Sequence, residues 1–570
     1  MCGIIFPMKR IWLDHYPDSV PADIDLQEYT SLADLFRRCC GRYAYSPAIT
    51  SCGHTLTYAE VDAHARRLAA YLTNELGLRQ GERVALLLPN IPQHPIAFYA
   101  LMRAGLVAVN CDPSLPRAVL AYQLRDSGCR CVIAVEDTAR KLSRSLKNTR
   151  VEAVLLTKIA DMLPVHRRTA QNFTHKWLKG KVPRYHLPGV VPFRDALGEA
   201  TQDYADPIVS VSALAVLQYT KGTTRTPKAV MLSHQNLLAA VQQLSSWYAG
   251  VLIPGAETIA CGISLSQGSG MLHNLLLPVR LGARSLLITE VRNRKALVDE
   301  LQTLEFTALT GVGSMYRALL NTPGFNEIRF NSIKIAIACG MTLHRTVASD
   351  WAKATSVPLI SAYGLVESSF ALSSTPPDLA TFADGTGLPL PSTEISIRDR
   401  QGRELGTDQP GELWVRGPQI MMGYWHKGQP QPKPSASDWL RTGDVAMISP
   451  QGYIQLLERL RDVIHVDGEA VFPSRIEAQL RAHPGVREAA LVAVPDDLTA
   501  HSSNRMALFV ALKDKSLHDF EIMRYCEQLL EPTQRPQNVY ILNRLPRDAD
   551  GRLLRRELRK PILWNRRRVA

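Results

Sequence analysis

Nowhere in this 570-residue sequence does an uncharged apolar run approach the roughly 18 residues that a membrane-spanning helix needs. The opening MCGIIFP is too short in apolar length for a secretory signal, so a cytoplasmic protein, soluble or peripheral, is expected. Met8 begins MKRIWLDHYP and would serve equally well as a start. Paired cysteine motifs are missing too. The ten cysteines are scattered, and neither Cys39-Cys40 nor Cys129-Arg130-Cys131 has a matching second pair at metal spacing, which argues against a zinc site or a disulfide framework. No repeat at solenoid periods and no GxxxxGK[ST] phosphate loop is present. Acidic residues are fewer than basic ones, 53 against 66, and a net charge of +13 suits an anionic ligand, an anionic membrane surface or nucleic acid. Against the last of these, the basic stretches HRRTAQNFTHKWLKGKVPRYH, RLLRRELRK and WNRRR lack the interleaved aromatics of a base-stacking platform.

What is present is a long alternation of helix-like and strand-like segments, in a chain too long for one hydrophobic core. Thr57-Tyr58-Ala59-Glu60 reads as a capping box opening a helix whose Val61, Ala65, Leu68 and Leu72 share a face. RVALLLPN, CVIAV, VEAVLLT, SLLIT, FTALTGV and IKIAIACG read as short buried strands, and AFYALMRAGL as a helix. This rhythm predicts an α/β fold with wound sheets, in which ligands bind outside the carboxyl ends of the strands. Past about residue 390 the texture becomes turn-rich, with GELWVRG as a strand and the Pro/Gln/Lys-rich HKGQPQPKPSASD as a surface loop. From Arg459 onward a small α+β unit is expected, which divides the chain into 1–458 and 459–570.

Three constellations carry chemistry. YTKGTTRTPK, from Tyr219 to Lys228, can turn backbone N–H groups and the hydroxyls of Thr220, Thr223 and Thr224 toward phosphate oxygens, with Lys228 adding charge; an ordinary hairpin or connector loop is the plainer reading. In SAYGLVESS, Tyr363 could stack on a base, Gly364 permits close backbone approach and Glu367 could hold a metal. Asp444 of WLRTGD and Arg459 offer a carboxylate and a guanidinium suited to ribose hydroxyls, and Gly551-Arg552 opens a cationic arm.

In order along the chain, YTxGTTxxPK, YGLxE, GELWVRGPQIMMGYW, RTGD, an R-x-R-D hinge and DGRLLRREL resemble the adenylate-forming superfamily of acyl-CoA ligases, peptide-synthetase adenylation domains and luciferases. RIWLDHYPDSVP, VPRYHLPG and YGLVES are similar to stretches of the bacterial long-chain fatty-acyl-CoA ligases. The resemblance implies a large N-terminal domain with a small mobile C-terminal one, and two half-reactions. A medium- or long-chain fatty acid and ATP with Mg2+ give acyl-AMP, and coenzyme A then takes the acyl group. It further implies that Thr220, Gly222, Thr223, Thr224 and Lys228 cradle phosphates, that Tyr363 and Gly364 line the adenine pocket, and that Glu367 serves the metal. Asp444 and Arg459 would bind ribose, Arg461 would be the hinge, and Arg552 would deliver the mobile cation, with Arg552, Glu367 and Lys228 as the catalytic groups. Fatty acid, ATP and CoA are the partners so implied, and a homodimer is compatible with the resemblance.

Several positions depart from the family pattern. The resemblance places a small residue where Lys221 stands and glycines where Arg225 and Ala229 stand; a left-handed backbone at Arg225 would cost on the order of 1 to 2 kcal/mol. The aromatic-His pair before the acyl pocket is Ser266-Gln267, the Thr of YGxTE is Val366, and the C-terminal Lys is Arg552, whose planar fork is no copy of a compact ammonium. A weakened adenylation step is the expectation. The alternative is a paralogue that binds nucleotide or acyl chain, or that only makes thioester from supplied acyl-AMP. Finally, Phe173, Trp177 and Leu178 among Lys and His suggest either an interfacial helix or an amphipathic helix packed on its own domain.

Overall fold

The computed structural model describes residues 10–187, 189–199, 204–220, 226–340, 343–378, 385–426, 429–432, 439–466, 469–494, 505–547 and 553–560. Apolar, β-branched runs without polar alternation become strands covered on both faces. Arg83–Leu87, Cys131–Val135 and Ile335–Cys339 are buried along almost their whole length. The Thr57 capping box forms: Glu60 N donates to Thr57 Oγ1 at 3.3 Å and the Glu60 carboxylate accepts from Thr57 N at 2.7 Å. It starts helix Tyr58–Ala70, whose Val61, Ala65 and Leu68 are buried with Leu72 just beyond.

Two nine-stranded sheets dominate. In one, the parallel strands Val190–Pro192, Ala153–Thr157, Cys131–Val135, Arg83–Leu87, Val107–Asn110 and Leu214–Tyr219 are followed by antiparallel Ala229–Ser233, Gly423–His426 and Gln429–Pro432. In the other, parallel strands from Pro47–Ser51 through Leu359–Tyr363 are flanked by antiparallel His54–Thr57 and Ser373–Ser374. Their helices share a core that runs from Trp12 to Ile454. An antiparallel four-stranded sheet follows, Glu394–Arg398, Gly411–Arg416, Leu440–Ile448 and Ile454–Arg459.

The smaller C-terminal domain has its own three-stranded sheet, Val486–Val494, Arg505–Leu512 and Asn538–Ile541, with separate apolar clusters on its two sides. Helices Pro473–Leu480 and Asp519–Leu529 contribute Ile476, Leu480, Ile522 and Cys526 to one of them. The basic C-terminal helix expected from the sequence is the short Arg555–Leu558 among the described residues.

Two expectations are corrected. Part of the Pro/Gln/Lys-rich loop is a strand, Gln429–Pro432, paired with Gly423–His426 at the sheet margin, where Pro430 and Pro432 forgo only outward N–H groups. The run AVMLSHQNLLAA, which reads from the sequence as helix-like directly after YTKGTTRTPK, begins instead as a strand. Ala229–Ser233 first pairs back on Leu214–Tyr219, and Ser233 then caps helix His234–Trp247 by accepting from Asn236 N at 3.1 Å. Among the described residues no helix is long and apolar enough to cross a membrane.

Candidate active site

Both chemistry-bearing loops leave the carboxyl ends of parallel strands, Thr220 after Leu214–Tyr219 and Gly364 after Leu359–Tyr363. The first is a hairpin at its base. Thr220 N donates to the Lys228 carbonyl at 2.8 Å, and Lys228 N donates to Thr220 Oγ1 at 3.1 Å. Tyr219, just below, is fixed by donating its hydroxyl to Asp126 Oδ2 at 2.8 Å. The hairpin reading therefore holds at the base of the loop. Gly222, Thr223 and Thr224, with Lys221 and Arg225, lie outside the described residues, as does Arg552.

Above that base Lys228 and Glu367 are joined through a residue not singled out from the sequence. The Lys228 ammonium lies 4.7 Å from the centre of the Tyr424 ring, and the Tyr424 hydroxyl donates to Glu367 Oε1 at 3.1 Å. Tyr424 reaches there because Gly423–His426 pairs with Ala229–Ser233, with Tyr424 opposite Val230. Met421 N also donates to the Glu367 carbonyl at 2.9 Å, tying the GPQIMMGYW segment to the YGLVES turn. The aromatic pair inside that motif was the signal available in the sequence. Glu367 sits in a 3-10 turn, Val366–Ser368, with Val366 half-buried against the main core.

Asp444 is 5% exposed, and both of its oxygens are held: Tyr363 donates its hydroxyl to Oδ2 at 2.6 Å, and the Arg459 guanidinium meets Oδ1 at 2.9 Å. The register makes this contact, since Asp444 and Arg459 face each other across strands Leu440–Ile448 and Ile454–Arg459. Gly443, at φ +68°, supplies the left-handed step that precedes Asp444. Burial pushes the Asp444 carboxyl up, opposed by Arg459 and by the Tyr363 hydrogen bond. Burial and then Asp444 itself push the Tyr363 hydroxyl far above the ordinary phenol range, so it stays a donor.

Gly364 is needed for a different approach from the one expected. A Cβ there would lie 2.2 Å from the Phe370 backbone carbon, so the glycine admits the returning chain of its own loop. Beyond Arg459, Arg461 lies in the 3-10 turn Leu460–Asp462, whose Asp462 accepts from Arg559 at 2.9 Å. Gln267 caps the short helix Gly268–Met271, its carbonyl accepting from Met271 N at 2.8 Å.

The residues present suit Mg2+ accompanied by a nucleotide. Such an ion takes one or two carboxylates and completes its octahedron with phosphate oxygens and water, and Glu367 provides a carboxylate oriented by Tyr424 close to Lys228.

A carboxylate–guanidinium pair beside a buried tyrosine, and a carboxylate and ammonium beside a Thr-rich hairpin, suit a nucleotide-dependent enzyme. The chain belongs to the AMP-binding enzyme family, whose model matches residues 36–425; the model of the AMP-binding enzyme C-terminal domain matches residues 475–552. It is 38% identical over 553 residues to a long-chain-fatty-acid–CoA ligase of Escherichia coli O157:H7, covering 97% of this chain and 98% of that protein. Its identity to the ligase of the same name from Haemophilus influenzae is 34%, again over 97% and 98% of the two chains. Among solved structures, anthranilate CoA ligase AuaEII in complex with anthranoyl-AMP superposes with a TM-score of 0.80 at 21% identity, covering 94% of this chain and 98% of that one. ATP-bound MatB from Rhodopseudomonas palustris gives 0.77 at 22%, over 92% and 98%.

Proposed function

We propose that this protein activates a medium- or long-chain fatty acid with ATP and passes the acyl group to coenzyme A. In the first half-reaction a carboxylate oxygen attacks the α-phosphorus, the bond to the bridging oxygen breaks, and pyrophosphate leaves; Mg2+, which Glu367 would hold, would supply charge to the departing phosphates. In the second, the CoA thiolate attacks the acyl carbon and AMP departs. Both reactants of the first step are anions, so preorganised positive charge lowers its barrier. Lys228 and the Thr220–Lys228 loop face the phosphates, Glu367 holds the metal, and Arg552 brings a cation from the C-terminal domain. Asp444 with Arg459 receives the ribose, and Tyr363 and Gly364 bound the adenine side.

The observation that carries this reading is the pair of joined groups, Tyr363–Asp444–Arg459 and Lys228–Tyr424–Glu367, which gather about the loops that leave strands Leu359–Tyr363 and Leu214–Tyr219. A division at 458/459 with Arg461 as pivot is supported by the C-terminal domain's separate apolar clusters. A slower adenylation step, or thioester formation from supplied acyl-AMP alone, is favoured by Arg552 and by the missing hydroxyl at Val366.

The test is a single-turnover assay for acyl-AMP with ATP, Mg2+ and C8 to C18 acids, run beside Arg552→Lys. Acyl-AMP from the natural protein assigns Arg552 the cation's role; acyl-AMP from the variant alone identifies a paralogue that acts on preformed acyl-AMP or by binding. Silence from both, with no thioester from synthetic acyl-AMP and CoA, overturns the reading.

We also infer contact with an anionic membrane surface. No residue of Val165–Leu178 is buried, and Phe173, Trp177 and Leu178 are 58%, 68% and 75% exposed. The segment is held by its polar side instead: His175 meets Asp137 at 2.7 Å, and Arg167 donates to the Gly53 carbonyl at 3.1 Å. Its apolar side chains are thus left to an external partner, and the neighbouring basic residues favour anionic headgroups.

A further inference from the structure

We propose that Glu458 is a positioning residue that holds the C-terminal domain in the pose seen here and so sets the balance between the two half-reactions. The inference rests on the ligase reading above and on Arg461 as the pivot, and it adds which side chain of this protein fixes the pivot's angle.

Helix Pro473–Leu480 has no side-chain cap of its own. Its N-cap position is Phe472, which has no side-chain oxygen to offer the N–H groups of the first turn. The acceptor comes from the other side of the pivot. Glu458 Oε2 accepts from Ser474 N at 2.8 Å and from the Ser474 hydroxyl at 2.7 Å, while Oε1 accepts from Arg459 N at 3.1 Å. A carboxylate in this place also meets the positive end of the helix dipole. The Glu458 side chain is 6% exposed, so these donors, with Arg555 at 3.9 Å, stand in for the water it has given up.

The two partners belong to different domains. Glu458 lies in strand Ile454–Arg459, opposite Val445 of Leu440–Ile448, so it is fixed in the sheet that carries Asp444. Ser474 is in the first turn of a helix whose Ile476 and Leu480 belong to the C-terminal domain's own apolar cluster. Between them runs the 3-10 turn Leu460–Asp462, with Arg461 in it. Rotation about Arg461 carries Ser474 away with its domain and leaves Glu458 behind, and hydrogen bonds of this length are lost on a displacement of about 1 Å. The cap therefore exists in one pose only. Leaving that pose strips a first-turn N–H, a hydroxyl and a buried carboxylate of their partners together, whereas the Arg555–Glu477 pair, internal to the C-terminal domain, stays whole.

Glu458→Ala, Ser474→Ala and the double variant test this with two readouts. Single-turnover rates are measured separately for acyl-AMP formation from ATP, Mg2+ and fatty acid, and for thioester formation from synthetic acyl-AMP and CoA. Glu458→Ala moves the two rates in opposite directions and changes their ratio about tenfold, the worth of a hydrogen bond to a charged group. Ser474→Ala, which keeps the backbone donor, shifts the ratio the same way by less, and the double variant shifts it no further than Glu458→Ala. The pose itself is read from electron-spin distances between labels introduced as unnatural amino acids at the exposed positions of Tyr45 and Phe520. In Glu458→Ala the population moves from the natural protein's distance to a second one by the same factor. Rates that fall together, as for a merely structural residue, or a distance distribution that does not change, overturn the inference and leave the ligase reading standing. A distribution that shifts in a protein inactive in both half-reactions upholds the latch and fails the ligase reading instead.

Discussion

Removing the Arg555 guanidinium, by Arg555→Met, isolates the ion cluster under the segment that carries Arg552. Arg555 donates to Glu477 Oε2 at 3.0 Å and through its other nitrogen to Glu477 Oε1, to the Leu491 carbonyl at 2.9 Å, and it lies 3.9 Å from Glu458 Oε2. Glu477 is 6% exposed and also accepts from Leu491 N at 2.8 Å; Glu458 accepts from Ser474 N at 2.8 Å and from its hydroxyl at 2.7 Å. Methionine fills similar volume and leaves two buried carboxylates without their shared cation. Breaking a buried pair from one side costs about 3–5 kcal/mol. The lower end applies near neutrality, because burial already pushes the Glu477 carboxyl up against the pull of Arg555, and without Arg555 it takes a proton.

Amide exchange along Val486–Val494, the strand against which Glu477 and Arg555 pack, reads this domain alone. At about 1.4 kcal/mol per decade, exchange by opening of the domain accelerates by two to nearly four orders of magnitude. The sign with pH follows from the raised folded value: the variant gains stability as pH falls, so its deficit shrinks toward pH 5. Glu477→Gln added to Arg555→Met recovers most of the loss, since both charges are then gone. Acceleration of less than tenfold in the single variant would refute the reasoning, because the cluster would then be a solvated pair of the kind worth under about 1 kcal/mol.

Other outcomes follow from the same kind of argument. His94, His234 and His273 are each pushed down to about 4 by burial, against an ordinary 6.5, so the unfolded chain binds more protons between those values. Stability is complete above pH 6.5 and falls progressively as pH drops toward 4, and replacing any one histidine with Gln flattens the acid limb of a urea-midpoint titration by about one proton. Tyr363→Phe deprives the buried Asp444 Oδ2 of its donor and weakens ATP binding by about 1.5–3 kcal/mol, tenfold or more in calorimetric Kd, while binding of free fatty acid is unchanged. Making Trp177 and Leu178 into Ser abolishes co-sedimentation with anionic liposomes and leaves the half-reactions in detergent-free buffer as they were; unaltered co-sedimentation removes the membrane contact.

Much of this fold is legible because its signals are local. Buried strands such as CVIAV and IAIAC announce themselves by composition, and the Thr57–Glu60 capping box by four residues. The site motifs are legible as types at spacings, so Asp444 and Arg459 could be paired before their strands were known to face each other. What was not legible depends on non-local pairing. Tyr424 serves Glu367 only because Gly423–His426 joins the sheet beside Ala229–Ser233, and nothing within either segment specifies that. The strand at Ala229–Ser233 and the one at Gln429–Pro432 were missed for the same reason, one masked by the helix that follows it and the other by its prolines. The return of the chain at Ser369 and Phe370 was not legible either, because positive φ at two non-glycine residues, 50° and 66°, contradicts their propensity and is imposed by surrounding hydrogen bonds.

The contact of Lys228 with the Tyr424 ring, together with the hydrogen bond from the Tyr424 hydroxyl to Glu367, has a thermodynamic corollary. On the proposed reading, in which Lys228 faces phosphate and Glu367 holds the metal, a tyrosine that touches both makes the two ligands' affinities conditional on each other. By linkage, whatever factor the divalent cation contributes to nucleotide affinity, the nucleotide contributes to cation affinity, and the tyrosine hydroxyl is where that mutual dependence can be switched off. Tyr424→Phe would thus turn an ordered pair of ligands into two indifferent ones, a change in the shape of a binding surface measured over both concentrations instead of in its depth.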